Sequence, residues 1–301
     1  MAVLRLIRWP NLLIIAFCQI LIKLALFDAF KVSQNLDLMQ FALLVIATVA
    51  IAAGGNIIND IQDVAIDTIN KPKKVLIGKS ISEKWAYALY VIFTSLGVLS
   101  GFVLCNMVGK PNFAVLFVAI AALLYFYATS LKQIFIIGNL TIALVVAISV
   151  LIVPFFDFLP AADSALTVLQ KQVFKLVFHY AIFAFVLTLL RELVKDILDV
   201  DGDHSNEVRS IPVVMGRERA GNLALALGVF IFAAVLYYCY VYFLREPVLL
   251  AYFFAAIAAP LLLFCLKVFK AESKKDYQFL STLLKLIMAL GIASMALYLF
   301  I

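Results

Sequence analysis

The chain has 301 residues, 66% of them apolar and only 14% charged, against about half and roughly a quarter in soluble domains. With a mean hydropathy of +1.10, it has too little polar surface to cover a water-facing globule, which excludes a soluble protein and places the chain in a bilayer. The net charge of +6 fits loops on the cytoplasmic side of a membrane, and no soluble segment carries the basic stripe with interleaved aromatics that nucleic acid requires.

A helix needs about 20 apolar residues to cross the hydrocarbon core. Nine such stretches follow one another, over 10–28, 39–58, 85–107, 113–130, 134–156, 173–190, 221–243, 247–266 and 279–300, with Pro, Gly, Lys or Asp in most gaps. The first follows Arg5 and Arg8 as a signal peptide would, but it is long, holds Lys23 and lacks a small-x-small cleavage site, so it reads as a mature span. Cys18, Cys105, Cys239 and Cys265 lie inside apolar runs with no C-x-x-C, and they read as packing residues rather than disulfide or zinc partners. Nine crossings put the termini on opposite faces. With the N-terminus inside, most of the 24 lysines and arginines fall on the cytoplasmic side. The expectation is an all-α, multi-pass protein of the cell (inner) membrane, with one domain over residues 1–301.

The gap after the second span reads Asn59-Asp60-Ile61-Gln62-Asp63-Val64-Ala65-Ile66-Asp67. The segment after the sixth reads Lys195-Asp196-Ile197-Leu198-Asp199-Val200-Asp201-Gly202-Asp203, identical at five of nine positions. Four spans separate them, and an even number of crossings returns the chain to the same face. The pattern predicts an internal four-helix repeat that brings two acidic segments to one cavity opening to the cytoplasm. Asn59, Asp63 and Asp67 stand at i, i+4 and i+8, one stripe of a helix drifting about 40° per step. Glu192, Lys195, Asp196, Asp199 and Asp203 likewise share one face, with Gly202 expected to loosen the last turn.

Two facing carboxylate stripes repel unless cations lie between them. Mg²⁺ suits such a site because it binds through one or two carboxylates plus substrate phosphates, whereas Ca²⁺ favours a tighter cage and a Gly-anchored loop that is absent here. Asn59, Asp63, Asp67, Asp196, Asp199 and Asp203 are the candidate metal ligands. The plainer reading, loop acids paired with nearby lysines, leaves the matched positions and one-face spacing unexplained. Basic residues follow each cluster, Lys71, Lys73 and Lys74 after the first and Arg209 after the second, placed to neutralise a diphosphate. Gly78-Lys79-Ser80 resembles the end of a phosphate-binding loop, but Lys73 stands where its upstream glycine is required.

The order N-D-x-x-D-x-x-x-D after the second of nine spans, with a second aspartate cluster after the sixth, resembles the UbiA superfamily of intramembrane prenyltransferases over almost the whole chain. Within it, Arg191-Glu192-Leu193-Val194-Lys195-Asp196 through Gly202-Asp203 is most similar to the R-E-x-x-K-D-x-x-D-x-x-G-D motif of archaeal-type digeranylgeranylglyceryl phosphate synthases. The Arg8-Trp9-Pro10-Asn11 entry to the first helix resembles the family's, where an arginine and an asparagine face the polar cavity. Tyr125 to Asn139 resembles the turn that supplies a lysine and an asparagine, here Lys132 and Asn139, and Ile211-Pro212 to Gly216 resembles the stretch after the second motif. One departure is that Lys74 stands where the family often has arginine, turning a bidentate clamp into a point charge.

The resemblance implies Mg²⁺-dependent transfer of a prenyl group, with geranylgeranyl expected, from a prenyl diphosphate to a lipid acceptor, expected to be geranylgeranylglyceryl phosphate, with release of pyrophosphate. Asp63, Asp67, Asp199 and Asp203 are the expected catalytic carboxylates. Arg8, Asn11, Lys71, Lys74, Tyr127, Lys132, Asn139, Lys195 and Arg209 are the expected substrate contacts, and Tyr125, Tyr127 or Tyr87 would turn a ring face to an allylic cation. Membrane lipids surround the bundle, and no protein partner is evident. An aromatic quinone precursor is the alternative acceptor. An ion-coupled transporter is the alternative class, but transporters keep their carboxylates near the midplane and these lie at helix ends beside lysines. His179 reads as interfacial and His204 as solvated.

Overall fold

A computed structural model describes residues 1–159, 166–206 and 208–300, and among them no strand is found. Nine helices among the described residues are long and apolar enough to cross a membrane: α1 (Trp9–Ala29), α2 (Leu38–Gln62), α3 (Glu83–Met107), α4 (Pro111–Thr129), α5 (Ile137–Phe158), α6 (Val168–Ser205), α7 (Arg217–Tyr242), α8 (Pro247–Val268) and α9 (Lys274–Phe300). The chain is a multi-pass integral membrane protein. The apolar stretches locate every span, while the polar ends of several helices extend beyond them.

Local chemistry sets the helix starts. Asp37 opens α2 with a capping box, its carboxylate accepting from the Gln40 main chain at 2.8 Å while the Gln40 side chain accepts from the Asp37 N–H at 3.0 Å. Thr167 with Gln170 and Ser273 with Asp276 do the same for α6 and α9. The α2–α3 pair is the most extensive helix contact, and a glycine permits it. A Cβ on Gly97 would stand 2.9 Å from the Ala47 carbonyl oxygen on α2. Between lipid-bathed helices, such close backbone approach replaces the hydrophobic drive available in water.

The buried apolar residues form two large clusters. One joins α1 to α5 and the start of α6 through Ile22, Leu44, Leu104, Phe117, Phe156 and Val177. The other joins the rest of α6 to α7, α8 and α9 through Leu190, Ile231, Phe264 and Leu284. A smaller cluster of Leu6, Ile57, Ile58 and Ala128 underlies the acidic end of α2. Helix α6 is thus the shared wall between two half-bundles.

The two acidic segments differ in their backbone. After α2 the helix is interrupted at Asp63 (φ −90°, ψ 4°) and resumes as a short helix over Val64–Asn70. After the sixth apolar stretch there is no interruption, because α6 continues through the whole motif to Ser205. The expected loosening at Gly202 is therefore corrected. Gly202 stays helical, and its missing Cβ admits Asn70, whose Nδ2 would lie 2.4 Å from such an atom. The Gly202 N–H donates to Asn70 Oδ1 at 2.9 Å, which ties the two motifs together.

At the opposite end of the bundle, Lys23 of α1 donates to Asp157 Oδ2 of α5 at 2.6 Å and to the Leu36 carbonyl at 2.9 Å. Asp157 is fully buried, and its other oxygen accepts from the Asn35 and Leu36 N–H groups. The lysine inside the first span is thereby neutralised and saturated, as a charge in hydrocarbon must be.

Candidate active site

Four elements bring polar side chains to one end of the bundle: the entry to α1, the end of α2 with the short Val64–Asn70 helix, the turn between α4 and α5, and the last third of α6. Arg8 has a left-handed backbone (φ 55°) that separates the Ala2–Leu6 helix from α1. This turn aims its guanidinium at Asp60 Oδ1, 2.5 Å away. A non-glycine residue at positive φ stores strain that the surrounding contacts must hold in place.

The two carboxylate segments meet. Lys71 donates to Asp199 Oδ2 at 2.5 Å, Asn70 Nδ2 donates to the Asp199 carbonyl at 2.8 Å, and Asp63 and Asp203 bear on one another electrostatically. Lys132, on the Leu131–Gln133 turn, donates to Asp63 Oδ1, and Asn59 Nδ2 donates to Asp63 Oδ2 at 2.6 Å. Asn139 at the start of α5 donates to Asp196 Oδ2 at 2.7 Å. Lys195 pairs with Glu192 on its own helix at 2.7 Å. Tyr127 lies among Glu192, Asp63, Asp196 and Arg8, at the centre of this polar end.

Some expected residues lie elsewhere. Lys74 is exposed and has no ion pair among the described residues, and Arg209 is also exposed, with its main-chain N–H docked on the Gln133 carbonyl at 3.2 Å. Neither side chain is drawn into the carboxylate cluster. Tyr125 stacks on Tyr90 at 6.4 Å and is largely exposed, as is Tyr87, so of the three tyrosines only Tyr127 joins the site. Asn11 does join it, accepting from Lys285 Nζ at 2.7 Å. His204 is exposed, whereas His179 packs against the rings of Tyr238 and Tyr242.

Asp60, Asn70 and Lys285 were not expected. Asp60 is off the Asn59/Asp63/Asp67 stripe, about 100° round the helix from Asn59, and only the turn at Arg8 reveals its partner. Lys285 carried a signal in the sequence, since a lysine inside an apolar span is a functional candidate by default.

Among the described residues no three Asp, Glu, His or Cys side chains converge as a ready metal cage. Asp63 and Asp199 hold lysine ammoniums, while among the described residues Asp67 and Asp203 have no ion pair and the buried Asn59 Oδ1 has no partner. This donor set fits Mg²⁺, which binds through one or two carboxylates with phosphate and water. Asp67 lies outside the spans, and burial raises its carboxyl above the ordinary range, with Lys71 opposing the shift.

The chain belongs to the UbiA prenyltransferase family, whose pattern matches residues 20–300. It is similar to digeranylgeranylglyceryl phosphate synthase of Methanosphaera stadtmanae, 32% identical over 63% of this chain and 64% of the relative. A relative of the same name from Methanococcus aeolicus is 32% identical over 86% of this chain and 85% of its own. Several of these alignments, including those to the Methanosphaera relative and to the Sulfolobus acidocaldarius relative at 62%, span under two thirds of the relatives' length. Among solved structures, one of digeranylgeranylglyceryl phosphate synthase in membranes superposes with a TM-score of 0.62 at 23% identity, covering 100% of this chain and 98% of that one. A UbiA homologue from Archaeoglobus fulgidus bound to GPP and Mg²⁺ superposes at 0.59 and 16% identity, covering 98% of this chain and 100% of that one. Both share the fold.

Proposed function

We propose that the protein transfers a geranylgeranyl group from its diphosphate to geranylgeranylglyceryl phosphate, with Mg²⁺, at the end of the bundle where α2 and α6 meet. The observation that carries this reading is the convergence of two carboxylate segments from separate helices, tied by Lys71 to Asp199 and by Asn70 to Gly202. The names and ligands of the relatives support the choice of donor, metal and acceptor. The lysine-rich connections on the acidic face support a cytoplasmic opening with the N-terminus on the same side.

Asp63, Asp67, Asp199 and Asp203, with Asn59 and Asp196, would hold Mg²⁺. Bound there, the metal supplies charge neutralisation to the leaving diphosphate. Lys71 and Lys132, displaced from their carboxylates, are placed to turn to the diphosphate oxygens. The C1–O bond of the donor breaks with its electron pair leaving on the diphosphate, the free glycerol hydroxyl of the acceptor bonds to C1, and its proton is released. Tyr127 is placed to shield the allylic carbon, and the apolar helix faces keep water from it.

Asp63→Ala and Asp199→Ala test the assignment. Each is expected to cut Mg²⁺-dependent diphosphate release on the order of a hundredfold or more at normal protein yield. Wild-type turnover in either variant would refute these roles.

A further inference from the structure

Next to the carboxylate mouth and further into the bundle, cations outnumber acids. On one face of α6 stand Thr188, Arg191, Glu192 and Lys195, at i, i+3, i+4 and i+7. Arg191 Nη1 lies 3.6 Å from Glu192, which Lys195 already holds at 2.7 Å. Among the described residues, the Arg191 Nε and the Thr188 hydroxyl are both buried without any partner. Across from them Lys285 of α9 donates to Asn11 of α1 and makes no ion pair among the described residues, and the like charge of Arg191 bears on it. Lys285 is eleven positions into α9, about 16 Å from the helix start. Arg191 and Lys195 thus share one carboxylate, and Lys285 adds a third, partly buried cation beside Arg191.

An unmatched charge that is partly buried is opposed by desolvation in the free protein. It becomes favourable when an anion enters. Arg191, Lys195 and Lys285 set against Glu192 and the neighbouring Asp196 leave one positive charge in excess, which a phosphate monoester, of about −1.5 to −2 at neutral pH, would meet. The segregation has a functional logic. Acids without an ion pair among the described residues (Asp67, Asp203) lie at the mouth, where a metal and the diphosphate would belong, and between α1, α6 and α9 lie Arg191, which shares Glu192 with Lys195, and Lys285, which has no ion pair among the described residues.

We propose that Lys285, Arg191 and Asn11, with Thr188, form a separate anion site that binds the phosphate monoester of the acceptor lipid and so positions its hydroxyl toward the donor. The inference rests on the proposed acceptor chemistry and deepens it. Lys285 and Arg191 act here as specificity determinants that separate a phosphorylated acceptor from an uncharged one.

The test compares wild-type enzyme with Lys285→Met and Lys285→Arg, using geranylgeranylglyceryl phosphate and geranylgeranyl diphosphate as varied substrates. Lys285→Met is expected to raise the acceptor KM about tenfold or more, leave the donor KM within about twofold, and leave thermal stability equal or higher, since an unpaired charge is removed. Lys285→Arg is expected to restore most of the acceptor affinity. In wild type, sn-glycerol 1-phosphate should compete with the acceptor and the dephosphorylated geranylgeranylglycerol should bind weakly, while inorganic phosphate alone distinguishes a bare anion site from one that also reads the glycerol. An unchanged acceptor KM in Lys285→Met, with wild type using the phosphate acceptor, overturns this site alone. Failure of the wild type to bind or use that acceptor overturns both the site and the acceptor assignment. Should Lys285→Met fail to fold, Arg191→Gln is read by the same KM split, and equal shifts in donor and acceptor KM there would overturn the proposal.

Discussion

Lys71 and Lys132 hold their ammonium groups against Asp199 and Asp63, where a divalent cation would otherwise interact. On the proposed reading the lysines would compete with the metal in the substrate-free chain and assist it when the diphosphate arrives. Lys71→Met is expected to strengthen Mg²⁺ binding to the free protein, seen as a larger Mg²⁺-induced rise in melting temperature, while the donor KM rises about tenfold. Weaker Mg²⁺ binding in this variant would contradict the competition. Asp67 adds a pH dependence. Burial raises its carboxyl, so as pH falls the proton is bound before an ordinary aspartate would take it, and the metal must displace that proton. The Mg²⁺ concentration for half-maximal turnover should climb on acidification from neutral, excess Mg²⁺ should restore the rate, and Asp67→Asn should flatten the climb. What spacing made legible was the α6 face, which stays on one continuous helix, whereas the stripe expected for Asn59, Asp63 and Asp67 is divided by the break in the helix at Asp63. What it did not show was Asp60, because the partner that claims it arrives through a left-handed Arg8 that no periodicity encodes.

Helix α6 carries the account at the scale of elements. It was legible as a span from its apolar stretch, but its run to Ser205 depends on the packing of Asn70 at Gly202, a contact between segments far apart in the chain. Gly202→Ala would place a Cβ 2.4 Å from Asn70 Nδ2. The expected outcome is loss of the Asn70 bonds and a fall in turnover of about tenfold or more, with little change in melting temperature, since the apolar halves of α2 and α6 are untouched. At the other end, the Lys23–Asp157 pair locks α1 to α5. Asp157→Ala strands a buried ammonium and should cost about 3–5 kcal/mol, measured by unfolding in detergent, whereas the double change Lys23→Met with Asp157→Leu should recover most of that loss. An Asp157→Ala variant as stable as wild type would mean that the pair contributes nothing to the lock.

For the whole molecule, the count of crossings was legible because each span is a near-continuous apolar run, and the pairing of the two acidic segments followed from an even number of spans between them. The assembly of the deep cation surplus was not legible, since it requires α1, α6 and α9 to be neighbours, and helix adjacency is set by packing that hydropathy does not describe. Sidedness follows from the crossings. Single cysteines at Lys73 and Lys110, in a background without the four buried native cysteines, should label from opposite faces, and labelling from one face alone would remove the shared site. The central claim, Mg²⁺-dependent prenyl transfer to a phosphorylated lipid, is tested most directly by the product. Purified protein is given geranylgeranyl diphosphate with either geranylgeranylglyceryl phosphate or 1,4-dihydroxy-2-naphthoate, with and without Mg²⁺, and the lipid is identified by mass spectrometry. The account predicts the doubly geranylgeranylated glycerol phosphate, formed only with Mg²⁺ and matched by one diphosphate per ether bond. Prenylation of the naphthoate alone, or a product that forms equally well in a chelator, would contradict it.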